Sequence, residues 1–173
     1  MYKMIEAMIK KGSLHTQGIF RLSGCLTNLD NFVIKADEGN YDFLEEIQIH
    51  DLSSLFKKWI RNISGSIIPI TLTKKLMQGN KDQYMEIVYD LDKISRNVLM
   101  YLIGFLQKQQ RHADVTKMDK ANLAIVFGPN IIASLDEQTD IVKVSTITNA
   151  FVEYLISEWD TSSIYPLQKV FKE

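Results

Sequence analysis

The chain has 173 residues, of which 46% are apolar and 24% charged, and its 20 Lys and Arg nearly balance its 21 Asp and Glu. This length and composition predict one soluble globular domain that needs neither a disulfide nor a structural metal for stability. The formal net charge of -1 argues against nucleic acid or membrane as a bulk partner, and the longest apolar run, 98–106, is too short to span a bilayer.

Apolar spacing predicts helices along most of the chain. The first ends at a Gly12-Ser13 break, a second covers about 26–38, and the clearest covers 50–63, where apolar residues recur at helical intervals and face a core. Further helices are predicted over 71–79, 82–92, about 95–111 and about 139–158. The helix over 95–111 is apolar nearly all round at its centre, so we expect it to be buried. The last helix is expected to turn these residues inward: Ile141, Val144, Thr148, Phe151 and Leu155.

The segment 122–132 is ambiguous, because an apolar run interrupted by Gly128-Pro129 fits either a buried helix or a strand. With only three prolines and scattered glycines, no flexible linker divides the chain. The elements together predict an all-α fold, a single helical bundle of about seven to nine helices. One domain is expected over 1–173, with 160–173 as a C-terminal tail or short helix.

Motifs of self-contained catalysis are missing from the sequence. It contains no phosphate-binding loop of the G-x-x-x-x-G-K-[ST] type, no G-x-G-x-x-G, no H-E-x-x-H and no G-x-S-x-G. The histidines, His15, His50 and His112, do not have ligand spacing, so no metal site is predicted. Cys25 fits an inert small hydrophobe better than a reactive thiol.

A short loop over 18–24 is bracketed by Gly18 and Gly24, which permit unusual backbone dihedrals. Its one arginine, Arg21, lies between apolar neighbours that can anchor the loop while the guanidinium points outward. Taken alone, Arg21 fits either a solvated or ion-paired loop arginine or a cation presented to a partner.

Two further features are basic or polar. Lys57 and Arg61 lie at i and i+4 on one exposed face of the predicted helix 50–63. Like charges at this spacing destabilise a helix, so the pair suggests an anionic partner, although a merely solvated basic face fits as well. Asn130 follows Gly128-Pro129 where an apolar segment turns, and it is either a functional residue or a common turn residue.

These three segments together resemble the Rho-family GTPase-activating domain, also called the RhoGAP or breakpoint-cluster-region homology domain. GIFRLSG at 18–24 is similar to the family's arginine-finger loop, and KKWIRNISGSIIP at 57–69 to its K-x-x-[LIF]-R-E-L-P-E-P-L segment. KMDKANLAIVFGPNII at 117–132 is similar to the family block that ends in Gly-Pro-Asn and two apolar residues. The resemblance covers nearly the whole chain and implies an all-helical bundle.

The resemblance implies a GTPase-activating protein for a Rho-family small GTPase. Arg21 holds the position of the arginine that enters the nucleotide site of a GTP-bound Rho or Rac protein in trans. An arginine suits this role because its planar, permanently charged fork can donate to phosphate oxygens. The chain is then an activator rather than an enzyme, with no cofactor of its own, since GTP and Mg²⁺ belong to the partner. A monomer is expected.

The resemblance also assigns roles to other residues, and none of them is a metal ligand. Arg61 is expected to steady the finger loop from beneath, and loop support is further assigned to Gly18, Phe20, Ser23 and Gly24. The GTPase-facing surface is assigned to Lys57, Lys58 and Asn130. Internal hydrogen bonding is assigned to Asn122.

The sequence departs from the family pattern in three places. Ser64-Gly65-Ser66 stands where the family has Pro-Glu-Pro, so a looser connection is expected. Leu91-Asp92 replaces a Leu-Pro pair. The family's lead-in helix before the first motif is not recognisable, which suggests an excised domain.

Two alternatives to an active GTPase activator remain at this stage. One is a RhoGAP-like interaction module that binds a GTPase or another signalling partner without stimulating hydrolysis. The other is a helical adaptor unrelated to GTPases. The sequence indicates a cytoplasmic protein with no intrinsic membrane span and no nucleic acid partner. For a GTPase-binding protein, recruitment to membranes is expected through the GTPase or through flanking domains.

Overall fold

The structure, a computed structural model, describes residues 1–25, 29–135 and 140–162. Within these ranges the backbone forms ten α-helical segments and, apart from one isolated parallel bridge between Ile68 and Ile132, no β-structure. The segments are α1 (Tyr2–Lys10), α2 (Leu29–Asp37), α3 (Phe43–Glu46), α4 (Ile49–Arg61), α5 (Ile70–Gln78), α6 (Tyr84–Asp90), α7 (Lys93–Gln110), α8 (Ala113–Thr116), α9 (Lys120–Ile131) and α10 (Ile141–Glu158).

The predicted all-α class is confirmed. Two of the ten segments, α3 and α8, are single turns of four residues, which are too short to give a periodic signal. The longer helices agree with the predicted ranges to within a few residues at each end, as expected for boundaries read from spacing alone. The predicted start of the second helix at 26 lies outside the described residues, as does most of the predicted tail over 160–173.

The ambiguous segment 122–132 is helical. Asp119 caps α9 by accepting a hydrogen bond from the backbone N–H of Asn122 at 2.8 Å. Pro129 lies inside the last turn, where it has no N–H to donate to the helix. The side-chain amide of Asn130 donates to the Val126 carbonyl at 2.6 Å and so bonds back onto the preceding turn of its own helix. Asn130 therefore belongs to the end of a helix and not to a turn.

The core is built around α7, as its apolar surface predicted. Side chains on all sides of this helix are buried, including Leu99, Leu102 and Phe105. Four phenylalanine rings in the centre of the core pack edge to face, with centroid distances between 5.2 and 6.2 Å. They are Phe20, Phe56, Phe105 and Phe127. One of the four, Phe20, comes from a loop and not from a helix.

The predicted inward face of the last helix is wrong at its first residue. Ile141 is 82% exposed, and the neighbouring Val142 is exposed as well. Thr148, Phe151 and Leu155 are buried as predicted. Periodicity gives the direction of an apolar face but not the length over which neighbouring helices cover it, so the buried face of α10 starts later than expected.

Two of the departures from the RhoGAP pattern lie in connections between helices. Both connections have a defined backbone structure. In the Ser64-Gly65-Ser66 segment, the N–H of Ser66 donates to the Ile63 carbonyl at 2.9 Å, and φ is positive at Gly65 and Ser66. Asp92 caps α7 by accepting from the N–H groups of Ile94 and Ser95 at 2.8 and 3.1 Å. An aspartate at this position therefore begins the central helix.

The close approach of α9 and α10 depends on Gly128. A Cβ at this position would lie 2.6 Å from Oδ1 of Asn149 and 3.3 Å from its backbone N. We therefore expect Gly128→Ala to lower the free energy of unfolding by about 1–3 kcal/mol, although alanine has the higher helix propensity. The urea midpoint of unfolding measures this loss.

A second variant separates a steric clash from other effects of the alanine. Oδ1 of Asn149 is buried without a hydrogen-bond partner among the described residues, so Asn149→Ala removes the clashing atom and gives up the 3.4 Å hydrogen bond from Nδ2 to the Ser145 hydroxyl. The double variant is expected to recover part of the loss. A Gly128→Ala protein as stable as the wild type contradicts this account of the packing.

Candidate functional site

The loop over 18–24 follows a short 3₁₀ turn, Ser13–His15, and is tied to the bundle at its first residue. The N–H of Gly18 donates to the carbonyl of Thr116 at 2.8 Å. The carbonyl of Gly18 accepts from Arg21 at 3.1 Å and from Leu22 at 2.9 Å, which closes the loop on itself. Gly18 has a φ of 71°, which is favourable for glycine and costly for most other residues.

Phe20 anchors the loop in the core. Its side chain is fully buried, with its ring centroid 5.9 Å from that of Phe105 and 5.2 Å from that of Phe127. Its backbone nevertheless has a φ of 68°, a left-handed conformation that costs a residue with a Cβ roughly 1–2 kcal/mol. Burial of a phenylalanine ring contributes about 1.5–3 kcal/mol and offsets that cost. With Phe20 turned inward, the next residue, Arg21, is exposed.

Lys57 of α4 holds the carbonyl of Phe20. Its Nζ donates a hydrogen bond to that oxygen, and the lysine is half-buried, whereas the sequence predicted an exposed position. Burial lowers the pKa of the Lys57 ammonium, and the positive charge of the nearby Arg61 lowers it further. The hydrogen bond to the Phe20 carbonyl therefore offsets part of the free-energy cost of burying the charged ammonium.

Arg61 is exposed one turn beyond Lys57 on α4. Among the residues that the structure describes, no hydrogen bond joins its guanidinium to the loop. The contact from beneath the loop, which the resemblance assigned to Arg61, is made by Lys57. Arg61 instead lies along the rim of the same surface.

The far end of the loop lies against the first turns of α4. The N–H of Gly24 donates to the hydroxyl of Ser54 at 3.1 Å, and a Cβ on Gly24 would lie 2.5 Å from the Cα of Asp51. Ser54 is buried although it is polar, and the sequence reasoning did not single it out. A serine inside an otherwise apolar helix face was the available signal.

An open groove of about 590 Å³ lies between the loop, α4 and the end of α9. The four cationic residues of the two basic motifs line it, together with one acidic residue and both polar and apolar neighbours. The lining residues are Arg21, Lys57, Lys58, Arg61, Asp30, Phe20, Ser23, Leu29, Ser54, Val126 and Asn130. The loop, α4 and the end of α9 thus form, together with the first turn of α2, one basic surface, which we call the basic groove.

Lys58 and the two asparagines differ in their relation to the basic groove. Lys58 is in the groove lining, but its Nζ forms an ion pair with the carboxylate of Asp30 on α2. Asn130 also lines the groove, and its amide is bonded to α9. The side chain of Asn122 donates to the Lys117 carbonyl at 3.4 Å, a contact within the chain at the other end of α9. Asp30 was not predicted, because no sequence spacing connects it with Lys58.

Other polar clusters are weaker candidates for a functional site than the basic groove. The rings of His15 and His112 lie edge to face with centroids 5.6 Å apart, although the two residues are distant in the sequence. In the described ranges, no group of three or more His, Cys, Asp or Glu side chains could hold a metal ion. No helix in those ranges is long and apolar enough to cross a membrane. We therefore take the basic groove and its exposed arginine as the candidate site.

Two solved structures illustrate the fold that this chain shares. A human Rho GTPase activating protein 15 superposes with a TM-score of 0.81 at 20% sequence identity, covering 94% of this chain and 82% of that chain. The BH domain from GRAF, the GTPase regulator associated with focal adhesion kinase, gives a TM-score of 0.75 at 19% identity and covers 98% and 92% of the two chains. At these identities the likeness concerns the fold.

Sequence relatives are longer proteins. GTPase activating protein homolog 3 of Dictyostelium discoideum is 30% identical over 118 residues, which is 66% of this chain and 9% of that protein. Rho GTPase-activating protein gacHH of the same organism is 29% identical over 168 residues, 89% of this chain and 11% of the relative. Rho GTPase-activating protein 24 of Mus musculus is 27% identical over 164 residues, which is 88% of this chain and 22% of the relative. This chain thus spans about a tenth to a quarter of their length.

The family profile of the RhoGAP domain matches residues 1–136. That stretch contains the loop with Arg21 and the whole of α2, α4 and α9, which are the elements that line the basic groove. It also accounts for most of the chain. Since the profile, the named relatives and the fold agree, the chain belongs to the RhoGAP domain family.

Proposed function

We propose that this chain activates GTP hydrolysis by a Rho-family small GTPase and that Arg21 enters the nucleotide site of the GTPase in trans. The observation that carries the proposal is an exposed arginine on a loop whose neighbouring residue, Phe20, is fully buried. Such a loop presents a guanidinium on a backbone that cannot easily move. Pre-organised charge of this kind stabilises the charge that develops in a transition state.

The chemistry of phosphoryl transfer explains why the residue is an arginine. Negative charge redistributes over the phosphate oxygens during hydrolysis, and a planar, permanently charged fork can donate to several of them at once. Arg21 is proposed to supply that fork, while the GTPase supplies the attacking water, the nucleotide and the Mg²⁺. The chain needs no cofactor of its own and acts as an activator rather than an enzyme.

The rest of the basic groove is proposed to receive the GTP-bound partner. Three of its cations, Arg21, Lys57 and Arg61, form no ion pair within the described part of the chain, so they favour an anionic surface. Lys57 positions the finger loop, Arg61 supports it in the complex, and Lys58 and Asn130 belong to the docking surface. Gly18, Ser23 and Gly24 maintain the shape of the loop.

Acting as a monomer in the cytoplasm, the chain is proposed to reach membranes through its GTPase or through flanking domains.

Single-turnover hydrolysis tests the proposal. Rho, Rac and Ras proteins loaded with GTP are mixed with the wild-type chain, and the rate of phosphate release is compared with the intrinsic rate. We expect acceleration of at least one of the Rho-type proteins. If neither Rho nor Rac is accelerated while one of them binds in its GTP-analogue state, the chain is an interaction module and the proposed activity is wrong.

Lys57 and Arg61, two of the three lysine and arginine residues of α4, are expected to differ in effect. Lys57→Met leaves the buried carbonyl of Phe20 without its donor, which costs about 1–3 kcal/mol, and a loss of that size in loop positioning corresponds to roughly 5- to 150-fold in rate. Arg61→Ala is expected to lower stimulation less, because Arg61 does not contact the loop in the free protein. The effects of both substitutions are measured as the stimulated rate of GTP hydrolysis.

Lys58→Met is the matched control for Lys57→Met. It removes one positive charge at the adjacent position of the same helix without touching the loop. Because Lys58 is proposed to act in docking, the comparison is made at a saturating concentration of the chain, where we expect less than a twofold change in rate. Equal losses for Lys57→Met and Lys58→Met indicate a general charge effect and contradict a positioning role for Lys57. An unchanged rate for Arg61→Ala removes the supporting role of Arg61.

A further inference from the structure

The acidic residue in the basic groove has no role in the proposed function. Asp30 lies in the first turn of α2 and is the one carboxylate among the described residues that line the groove. Its partner is Lys58, which carries one of the four positive charges of the groove. The pair makes this corner of the groove electrically neutral.

The fold does not depend on this ion pair. The side chain of Asp30 is 87% exposed, and exposed ion pairs contribute little to stability. α2 is held instead by the buried Leu29 and by Phe32, whose ring stacks on Phe43 with centroids 5.1 Å apart. Removal of the carboxylate is therefore expected to leave α2 in position.

An exposed carboxylate at this point acts on whatever docks in the groove. A protein with an acidic side chain opposite Asp30 meets like charge, which is unfavourable at an interface. A protein with a lysine or arginine there gains a partner, and Lys58 is then released to bind an acid nearby. Lys58 therefore contributes to docking only when its ion pair with Asp30 is broken.

We infer that Asp30 is a specificity-determining residue for the GTPase partner, acting together with Lys58. This inference rests on the proposed function of the basic groove. Among the described residues, no hydrogen bond or ion pair joins Asp30 to Arg21, Phe20 or Lys57, so it selects the partner at the docking step and leaves the hydrolysis step unaffected.

The test compares kcat and KM for Rho and Rac with five proteins: wild type, Asp30→Asn, Lys58→Met, the double variant, and Glu38→Gln. Glu38→Gln is the matched control, because it removes the same charge just beyond the end of α2, and Glu38 does not line the basic groove. The thermal midpoint of each protein is measured to verify that it is folded.

Asp30→Asn is expected to change kcat/KM by about two- to fivefold, through KM and not kcat, and by different factors for Rho and Rac. The ratio of the two kcat/KM values then shifts by about twofold or more, while Glu38→Gln leaves it unchanged. Lys58→Met is expected to have a larger effect in the Asp30→Asn background than in the wild type, because the unpaired Lys58 is free to bind the partner.

Three results overturn the inference: equal factors for Rho and Rac, the same shift with Glu38→Gln, or equal effects of Lys58→Met in the two backgrounds. Failure of the proposed function is a separate result, since the wild type then accelerates neither GTPase. In that case, dissociation constants for Rho and Rac in the GTP-analogue state give the same ratio and decide the role of Asp30. Absence of binding to both proteins also overturns it.

Discussion

Replacing Arg21 by alanine is expected to lower the stimulated rate of GTP hydrolysis by roughly 10³–10⁵-fold. This corresponds to about 4–7 kcal/mol of lost transition-state stabilisation. The side chain of Arg21 is exposed and is not part of the core, whereas the loop backbone is held by the contacts of Gly18 and Phe20. The variant should therefore fold normally. Single-turnover hydrolysis with an excess of the chain over the GTPase measures the loss.

Arg21→Lys is the control for charge. Lysine keeps the positive charge but has no planar fork, so it is expected to recover only a small part of the rate. Binding of both variants to the GTP-analogue state of the GTPase should remain measurable, because the groove retains Lys57 and Arg61. A stimulated rate that survives Arg21→Ala contradicts the assignment of Arg21 as the arginine finger.

Replacing Gly24 by alanine is expected to have the largest effect of any change that adds one methyl group to the loop. The new Cβ would lie 2.1 Å from Oδ1 of Asp51 and 2.5 Å from its Cα and backbone N. The backbone of a helix cannot withdraw from such a contact, so the loop itself must shift and the hydrogen bond of Gly24 to Ser54 is broken. We expect a stability loss of about 1–3 kcal/mol.

The activity of Gly24→Ala should fall further than its stability suggests. A displacement of about 1 Å at a catalytic group can cost roughly 10²-fold in rate, and Arg21 is three residues away on the same short loop. Stimulated hydrolysis and the urea midpoint are measured together on this variant. Gly39→Ala is the control: no atom lies within 4 Å of its added Cβ, but its φ of 77° makes alanine costly by roughly 1–2 kcal/mol, so this variant should lose stability without losing activity. A Gly24→Ala protein with full activity shows that the loop tolerates the shift.

The helical fold could be predicted from the sequence because its strongest signals are local. The apolar stripe of α4 and the nearly continuous apolar surface of α7 fix which faces enter the core, and burial follows from these patterns. The short turns α3 and α8 were missed because four residues span only about one helical turn, which is too short for an apolar spacing to repeat. Ile141 was misassigned because exposure depends on how far a neighbouring helix extends.

The candidate site could be predicted only in part. Gly18, Arg21 and Asn130 were found through motifs, since each motif is continuous in the sequence. The contacts of Lys57 with Phe20 and of Lys58 with Asp30 join residues that are 37 and 28 positions apart. Pairs at such separations are created by tertiary packing, so no local pattern indicates which of two adjacent lysines faces the loop and which faces the acid.

Phe20 makes the loop over 18–24 part of the same cooperative unit as the centre of the bundle. Functional loops usually open at a lower free energy than the core and can loosen independently. Here the residue next to Arg21 shares its packing with Phe105 and Phe127, so the loop cannot open without exposing rings of the core. A mutation deep in the bundle can therefore inactivate the domain without touching its surface, because the geometry of the arginine and the integrity of the core are lost together.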